Sequence, residues 1–146
     1  MKVYIGADHG GYALKESLKE HLSEFGTQVE DLGAHSLEPE DDYPDFVIPV
    51  AQRVASEQDA FGIVIGRSGN GEAIAANKIK RVRAAICMNV EMAKKAREHN
   101  DANVLSLGAD YISLDEAKEM VKVFLETDFS GEERHKRRLE KISRLE

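Results

Sequence analysis

Apolar positions fall into two patterns that alternate along the chain. Short runs rich in β-branched residues, Val3–Ala7, Gln28–Leu32, Phe61–Ile65, Val82–Cys87 and Asn103–Leu107, predict five strands. Between them, apolar residues recur every three or four positions: Leu14, Leu18, Leu22 and Phe25; Val47, Val50, Ala51 and Val54; Ala117, Met120, Val121 and Phe124. That spacing places each set on one face of a helix. Further helices are predicted for Glu72–Lys78, Glu91–His99 and about Glu132 to Arg144, the last with only Leu139, Ile142 and Leu145 as apolar anchors. Gly26 closes the first helix, Pro44 sits where a first-turn proline costs little, and Pro49 predicts a kink or a late start.

The run Phe61–Ile65 has no polar interruption, as expected of a strand covered on both faces. Strand–helix alternation then predicts a doubly wound, three-layer Rossmann-like α/β fold. It has a five-stranded parallel sheet, an extended C-terminal helix and one domain over residues 1–146. Ligands in such folds bind beyond the carboxyl ends of the strands, where the strand order reverses. With strands in the order 2-1-3-4-5, that point lies between the first and third, where Asp8-His9-Gly10-Gly11 and Gly66–Glu72 leave the sheet.

Composition narrows the function. With 42% apolar and 32% charged residues in 146, the chain reads as one soluble globular domain, and no apolar run could span a bilayer. The N-terminal MKVYIGADHGG breaks into polar residues far short of a secretory core, and the single Cys87 permits no internal disulfide, so a cytoplasmic location is expected. A net charge of −7 argues against general nucleic-acid binding. The charge is uneven: residues 130–146 carry six Arg or Lys against four Asp or Glu, whereas the preceding body carries 14 against 23. A basic end on an acidic body calls for a small anion or an acidic partner surface.

The loop Gly66-Arg67-Ser68-Gly69-Asn70-Gly71-Glu72 lets backbone N–H groups converge on an anion, but Glu72 stands where a nucleotide-binding loop has lysine. A carboxylate there repels a polyphosphate and suits a general base beside a developing oxyanion; it equally suits a plain strand-to-helix turn. Asp8 reads as a helix cap or a reactive acid, with His9 beside it. Asp31 imitates the ribose-binding acid of a dinucleotide site, yet Gly6, Gly10 and Gly11 have the wrong spacing for that motif. His99 ends a helix, and Arg134 and Arg138, four apart, share a helix face and make a phosphate fork. Cys87 reads as buried packing, and no Cys/His cluster has metal-ligand spacing. Glu38, Glu40, Asp41 and Asp42 read as a solvated loop, with Tyr43 beside them within reach of the first-strand crevice.

Five blocks, GADHGGYALK (6–15), DDYPDF (41–46), IVIGRSGNGEAIAANK (63–78), REHNDANVL (97–105) and RHKRRLEKI (134–142), resemble type B ribose-5-phosphate isomerase over nearly the whole chain. That family also holds isomerases of other sugar phosphates, including the galactose-6-phosphate isomerase subunits. The resemblance implies interconversion of ribose 5-phosphate and ribulose 5-phosphate through a cis-enediolate, with no metal or organic cofactor. One branch uses a cysteine base at the end of the third strand, where this chain has Gly66; the chain looks like the other branch, with Glu72 as base. By similarity, Ser68 and the amides of Gly69, Asn70 and Gly71 form the anion hole, and Asp8 and His99 assist ring opening. Tyr43 and Asn100 line the sugar pocket, and His9, Arg134 and Arg138 hold the phosphate. Family members are homodimers, with tetramers also open, whose C-terminal helix, here about 130–146, reaches the neighbouring subunit. Two departures stand out: Asp110 occupies the place of a usual phosphate-binding arginine, and Arg67 that of a small residue, so Arg67 either supplies the missing charge or pairs with Asp110. The other readings are an isomerase of a tetrose or hexose phosphate, a non-catalytic nucleotide-binding module, and a structural partner of an active subunit.

Overall fold

The computed structural model describes residues 1–146. Strands β1 (Lys2–Ala7), β2 (Gln28–Asp31), β3 (Ala60–Gly66), β4 (Ala84–Ile86) and β5 (Val104–Gly108) form one all-parallel sheet. Helices α1 (Tyr12–Glu24), α2 (Pro44–Ser56), α3 (Asn70–Ala76), α4 (Val90–Asn100) and α5 (Leu114–Glu126) follow the strands in turn, and α6 (Glu133–Ser143) ends the chain. No helix is long and apolar enough to cross a membrane.

Alternation along the strands builds the three layers. Val3, Ile5, Ile63, Ile65, Leu105 and Leu107 join Leu18 of α1, Ala93 of α4 and Phe124 of α5 in one core. Tyr4, Val64 and Val104 point the other way, onto Val47, Val50 and Val54 of α2 and Ala76 of α3. Each fully buried aliphatic side chain is worth about 1.5–3 kcal/mol, so the two faces lock the register of every strand.

The strand order is β2-β1-β3-β5-β4, which corrects the order expected from chain sequence by exchanging the last two strands. Burial explains the exchange. All five residues of β5 are buried, so it takes the inner place beside β3, whereas the three residues of β4 are only half-buried and sit at the edge. The reversal between β1 and β3 survives. Pro49 lies inside α2 without dividing it, since Pro44–Ser56 is continuous.

Several ends are fixed by local chemistry. Asn89 Oδ1 accepts the Met92 N–H at 2.9 Å to cap α4, and Ser113 with Glu116 forms a capping box on α5. Asp8 does not cap α1: its Oδ1 accepts the Gly10 N–H at 2.9 Å, a turn before the helix. Asp31 is also not free for a ribose. It hydrogen-bonds Lys15 Nζ at 2.6 Å, Lys19 and the Gly33 N–H, and Lys15 is fully buried. This ion pair ties α1 to the end of β2, next to Gly33, whose carbonyl accepts the Ala7 N–H at 2.8 Å. Burial pushes the Asp31 carboxyl up, but the bonds from Lys15, Lys19 and Gly33 outweigh it and hold the acid below its ordinary value.

Asp31→Asn leaves Lys15 buried with only Glu16 opposite it, and is expected to cost roughly 3 kcal/mol in urea unfolding. Because the folded-state value is depressed, the Asp31 contribution is complete above the unfolded value of about 3.9 and is lost as pH falls through the lower folded value. The gap between wild type and Asp31→Asn therefore closes in acid.

Candidate active site

Where β1 and β3 end, three loops converge. The β3–α3 turn carries the decisive acid. Glu72 lies in the first turn of α3, 4% exposed, and its carboxylate folds back over the end of β3. A Cβ at Gly66 would fall 1.8 Å from Glu72 Oε1 and 2.3 Å from its Cδ. Gly66 is therefore a glycine because the carboxylate occupies the space of its side chain. Burial pushes the Glu72 carboxyl above its ordinary value; its own backbone N–H opposes this, and the charge of Asp8 adds to it.

The surrounding groups face the same crevice. Ser68 Oγ accepts the Asn70 N–H at 3.3 Å, and the first N–H groups of α3 have no acceptor within the helix. Gly69 supplies the left-handed turn before α3, and its carbonyl is fixed by the buried Ser106 hydroxyl at 2.7 Å. Tyr43, at the start of α2, lies against Gly71, where a Cβ would stand 2.6 Å from its Cζ and 2.9 Å from its hydroxyl. Arg67 lays its stem against Gly10 and extends Nη1 to 3.5 Å from Asp110 Oδ2, both side chains being exposed. This is the pairing anticipated from the sequence, but in an exposed and loose form.

Asp41 is the residue that sequence reading missed. Its side chain is only 11% exposed, against the expected solvated loop, and Oδ1 accepts the backbone N–H of His9 at 2.9 Å and lies 2.7 Å from His9 Nδ1. Glu38, Glu40 and Asp42 are exposed as expected. Only the position of Asp41 beside Asp42-Tyr43-Pro44 hinted at its role, since the helix start at Pro44 fixes where that loop must return. Asp8, His9 and Asp41 are also close enough to share a cation. The 2.7 Å contact already engages His9 Nδ1, so the arrangement reads as a hydrogen-bonded pair.

The remaining predicted residues lie elsewhere in the chain. His99 and Asn100 end α4, and the Asn100 carbonyl accepts from Arg83 Nε at 3.1 Å just before β4 begins. All strands are parallel, so this edge of the sheet is opposite to the one holding Glu72. There His99 stacks on the buried His135 of α6, rings 4.5 Å apart and 12° from parallel, which brings Arg134 and Arg138 to the same side. Burial, with the charges of His99, Arg134 and Arg138, pushes the His135 imidazole below its ordinary value. Leu139 and Ile142 of α6 border a cavity of about 390 Å³ rather than a filled core. In one chain, then, Asp8, His9, Tyr43, Arg67, Ser68, Gly69, Asn70, Gly71 and Glu72 come together, and His99, Asn100, Arg134 and Arg138 form a second group. Cys87 is 1% exposed, and burial pushes its thiol up to about 12, so it is inert packing.

Residues 3–142 match the family described as Ribose/Galactose Isomerase. The chain belongs to the ribose/galactose isomerase family. Among members, ribose-5-phosphate isomerase B of Mycobacterium leprae is 44% identical over 146 residues, covering 100% of this chain and 90% of the relative. The structure of Clostridium thermocellum ribose-5-phosphate isomerase B matches with a TM-score of 0.95 at 46% identity, covering 99% of this chain and 97% of that one. That of Mycoplasma genitalium ribose-5-phosphate isomerase B, solved with bound ribulose-5-phosphate, matches with a TM-score of 0.95 at 40% identity, covering 99% and 95%. The α/β fold of this isomerase family is thus the fold of this chain.

The contact between residues 66 and 72 yields a direct test. In Gly66→Ala the methyl group expels the Glu72 carboxylate from its seat, and its titration, followed by carboxyl NMR, is expected to fall toward the ordinary value of about 4.3. An unchanged titration contradicts the packing described.

Proposed function

We propose that the chain interconverts ribose 5-phosphate and ribulose 5-phosphate through a cis-enediolate, with Glu72 as the single base. The observation that carries this reading is the buried Glu72 carboxylate seated on Gly66 beside the opening amides of α3. The seat also bears on the choice of base, because a cysteine at 66 and this Glu72 rotamer exclude each other. Support comes from the similarity to ribose-5-phosphate isomerases B, one of them with ribulose-5-phosphate bound.

The chemistry follows from the geometry. Glu72 takes the proton from C2 of the open aldose, the C2–H electron pair becomes the C1–C2 double bond, and the C1 carbonyl oxygen takes the charge. Amides of Gly69, Asn70 and Gly71 with the Ser68 hydroxyl meet that charge; one such donor contributes about 10²–10³ in rate. The O2 hydroxyl proton passes to O1, the carbon-bound proton returns from Glu72 to C1, and the carbonyl forms at C2 to give the ketose, so that one base on one face serves both carbons. Burial, by raising the proton affinity of Glu72, strengthens it as a base and makes the protonated form easier to hold between the two transfers. No step requires a metal or organic cofactor.

Ring opening and phosphate binding need the second group of residues. His99, Asn100, Arg134 and Arg138 sit at the far edge of the sheet, so they serve the crevice of a second copy, and the active species is a homodimer with two reciprocal sites. Asp8 of one copy and His99 of the other open the furanose, Tyr43 and Asn100 line the sugar, and His9, Arg134 and Arg138 hold the phosphate. Arg67 is the only Arg or Lys on the loops that follow the five strands, and it adds a cation there in place of the arginine absent at Asp110. That substitution is the observation behind the second reading, an isomerase of a tetrose or hexose phosphate.

Glu72→Gln is expected to lower turnover by at least about 10²–10⁴ while sugar-phosphate binding by calorimetry survives, and retained turnover removes Glu72 as the base. Cys87→Ala is expected to be silent. Mixing inactive Glu72→Gln with inactive His99→Ala under subunit exchange should restore about a quarter of wild-type turnover, since half of the re-paired dimers carry one intact site. No recovery contradicts the shared site. Arg67→Ala is expected to raise KM with kcat spared; unchanged constants show that Arg67 does not bind substrate.

A further inference from the structure

His9 and Asp41 lie on different loops, 32 residues apart, and meet through a single carboxylate oxygen. A carboxylate oxygen only accepts, so the 2.7 Å contact places a proton on His9 Nδ1. Nε2, on the far side of the ring, is then the nitrogen left for a ligand. The other oxygen of Asp41, Oδ2, is buried and makes no hydrogen bond. A buried acceptor without a protein partner costs stability and asks for an explanation, a task of the same residue being one.

The surroundings show what that task is. The groups facing the His9 ring are Asp8 from its own loop and Asp41 from the β2–α2 loop, with Arg67 lying across Gly10. Asp8 Oδ2 stands 3.8 Å from the same Nδ1 and competes with Asp41 for it. If His9 turned to Asp8, one movement would have two effects: Nε2 would change its direction and Asp8 would be occupied. The second bond from Asp41 Oδ1 to the His9 backbone N–H prevents this by anchoring the main chain as well as the ring.

We propose that Asp41 is a positioning residue for His9, holding the ring with Nδ1 as donor so that Nε2 alone meets the phosphate-bearing ligand and Asp8 stays free. The ligand class rests on the isomerase reading above; the ring's tautomer does not. The test combines histidine side-chain ¹⁵N NMR on the ligand-free full-length protein with steady-state kinetics on ribose 5-phosphate. Neutral wild-type His9 is expected to carry its proton on Nδ1. Asp41→Ala is expected to move it largely to Nε2 and to raise KM at least about tenfold with kcat changed far less. Asp41→Asn, which keeps an acceptor oxygen, is expected to restore both the tautomer and most of the affinity. A wild-type His9 protonated on Nε2 overturns the proposal without any variant needing to fold. So does an Asp41→Ala protein with wild-type tautomer and KM, whatever its melting temperature. An inactive wild type with the Nδ1 tautomer intact tells instead against the isomerase reading.

Discussion

A carboxylate can lie over the end of β3 only because residue 66 has no side chain. This one steric fact links the parts of the site. It turns Glu72 inward, away from the solvent that a first-turn glutamate normally faces, and burial then raises its affinity for a proton. It also sets the path of the β3–α3 turn, which must pass close enough for Tyr43 to rest on Gly71 and for the Ser106 hydroxyl to hold the Gly69 carbonyl. The sheet supplies the rigidity. β3 is buried along nearly its whole length between two cores, so the seat is fixed by the best-packed element in the chain.

The polarity of a parallel sheet explains why the rest of the chemistry is elsewhere. Every loop following a strand opens at one edge, and every helix returns its C-terminus to the other. A residue at the end of α4 therefore cannot face a loop after β3 in the same chain, however close the two are in sequence. The basic α6 continues this arrangement: His135 stacks on His99 and carries Arg134 and Arg138 beside it. Its apolar side borders a cavity instead of filling one. The acids Asp8, Asp41 and Glu72 stand at one edge of the sheet, with Arg67 as the loop cation beside them, whereas the basic side chains of α6 lie at the other.

Much of this was legible in the sequence, and the exceptions have physical causes. Hydrophobic runs and helical spacing gave the elements, because burial on one or two faces is what writes those patterns; the expected face Ala117, Met120, Val121 and Phe124 is the buried face of α5. The exchange of β4 and β5 was hidden, because a three-residue edge strand and a short inner strand look alike until their burial is known. The loop glycines and Glu72 marked the crevice through their local chemistry. Asp41 was read as solvated because three exposed acids surround it, and only the return of the chain at Pro44 turns it inward. Lys15 gave no signal of its own in the sequence: its ammonium is fully buried against Asp31, a pairing that no spacing rule along one helix reveals. His99 and Arg134 were legible as residues, but their separation from Glu72 within one chain follows from strand polarity, which no local motif records.

The most direct test is a crystal structure of the assembled protein with ribulose 5-phosphate bound. A Glu72 carboxylate oxygen is expected within about 3–3.5 Å of C1 and C2 of the sugar, and the phosphate against His9 and the α6 arginines of a second copy. A sugar whose C1 and C2 lie out of reach of Glu72, or a phosphate bound without any contribution from a neighbouring copy, would contradict this arrangement.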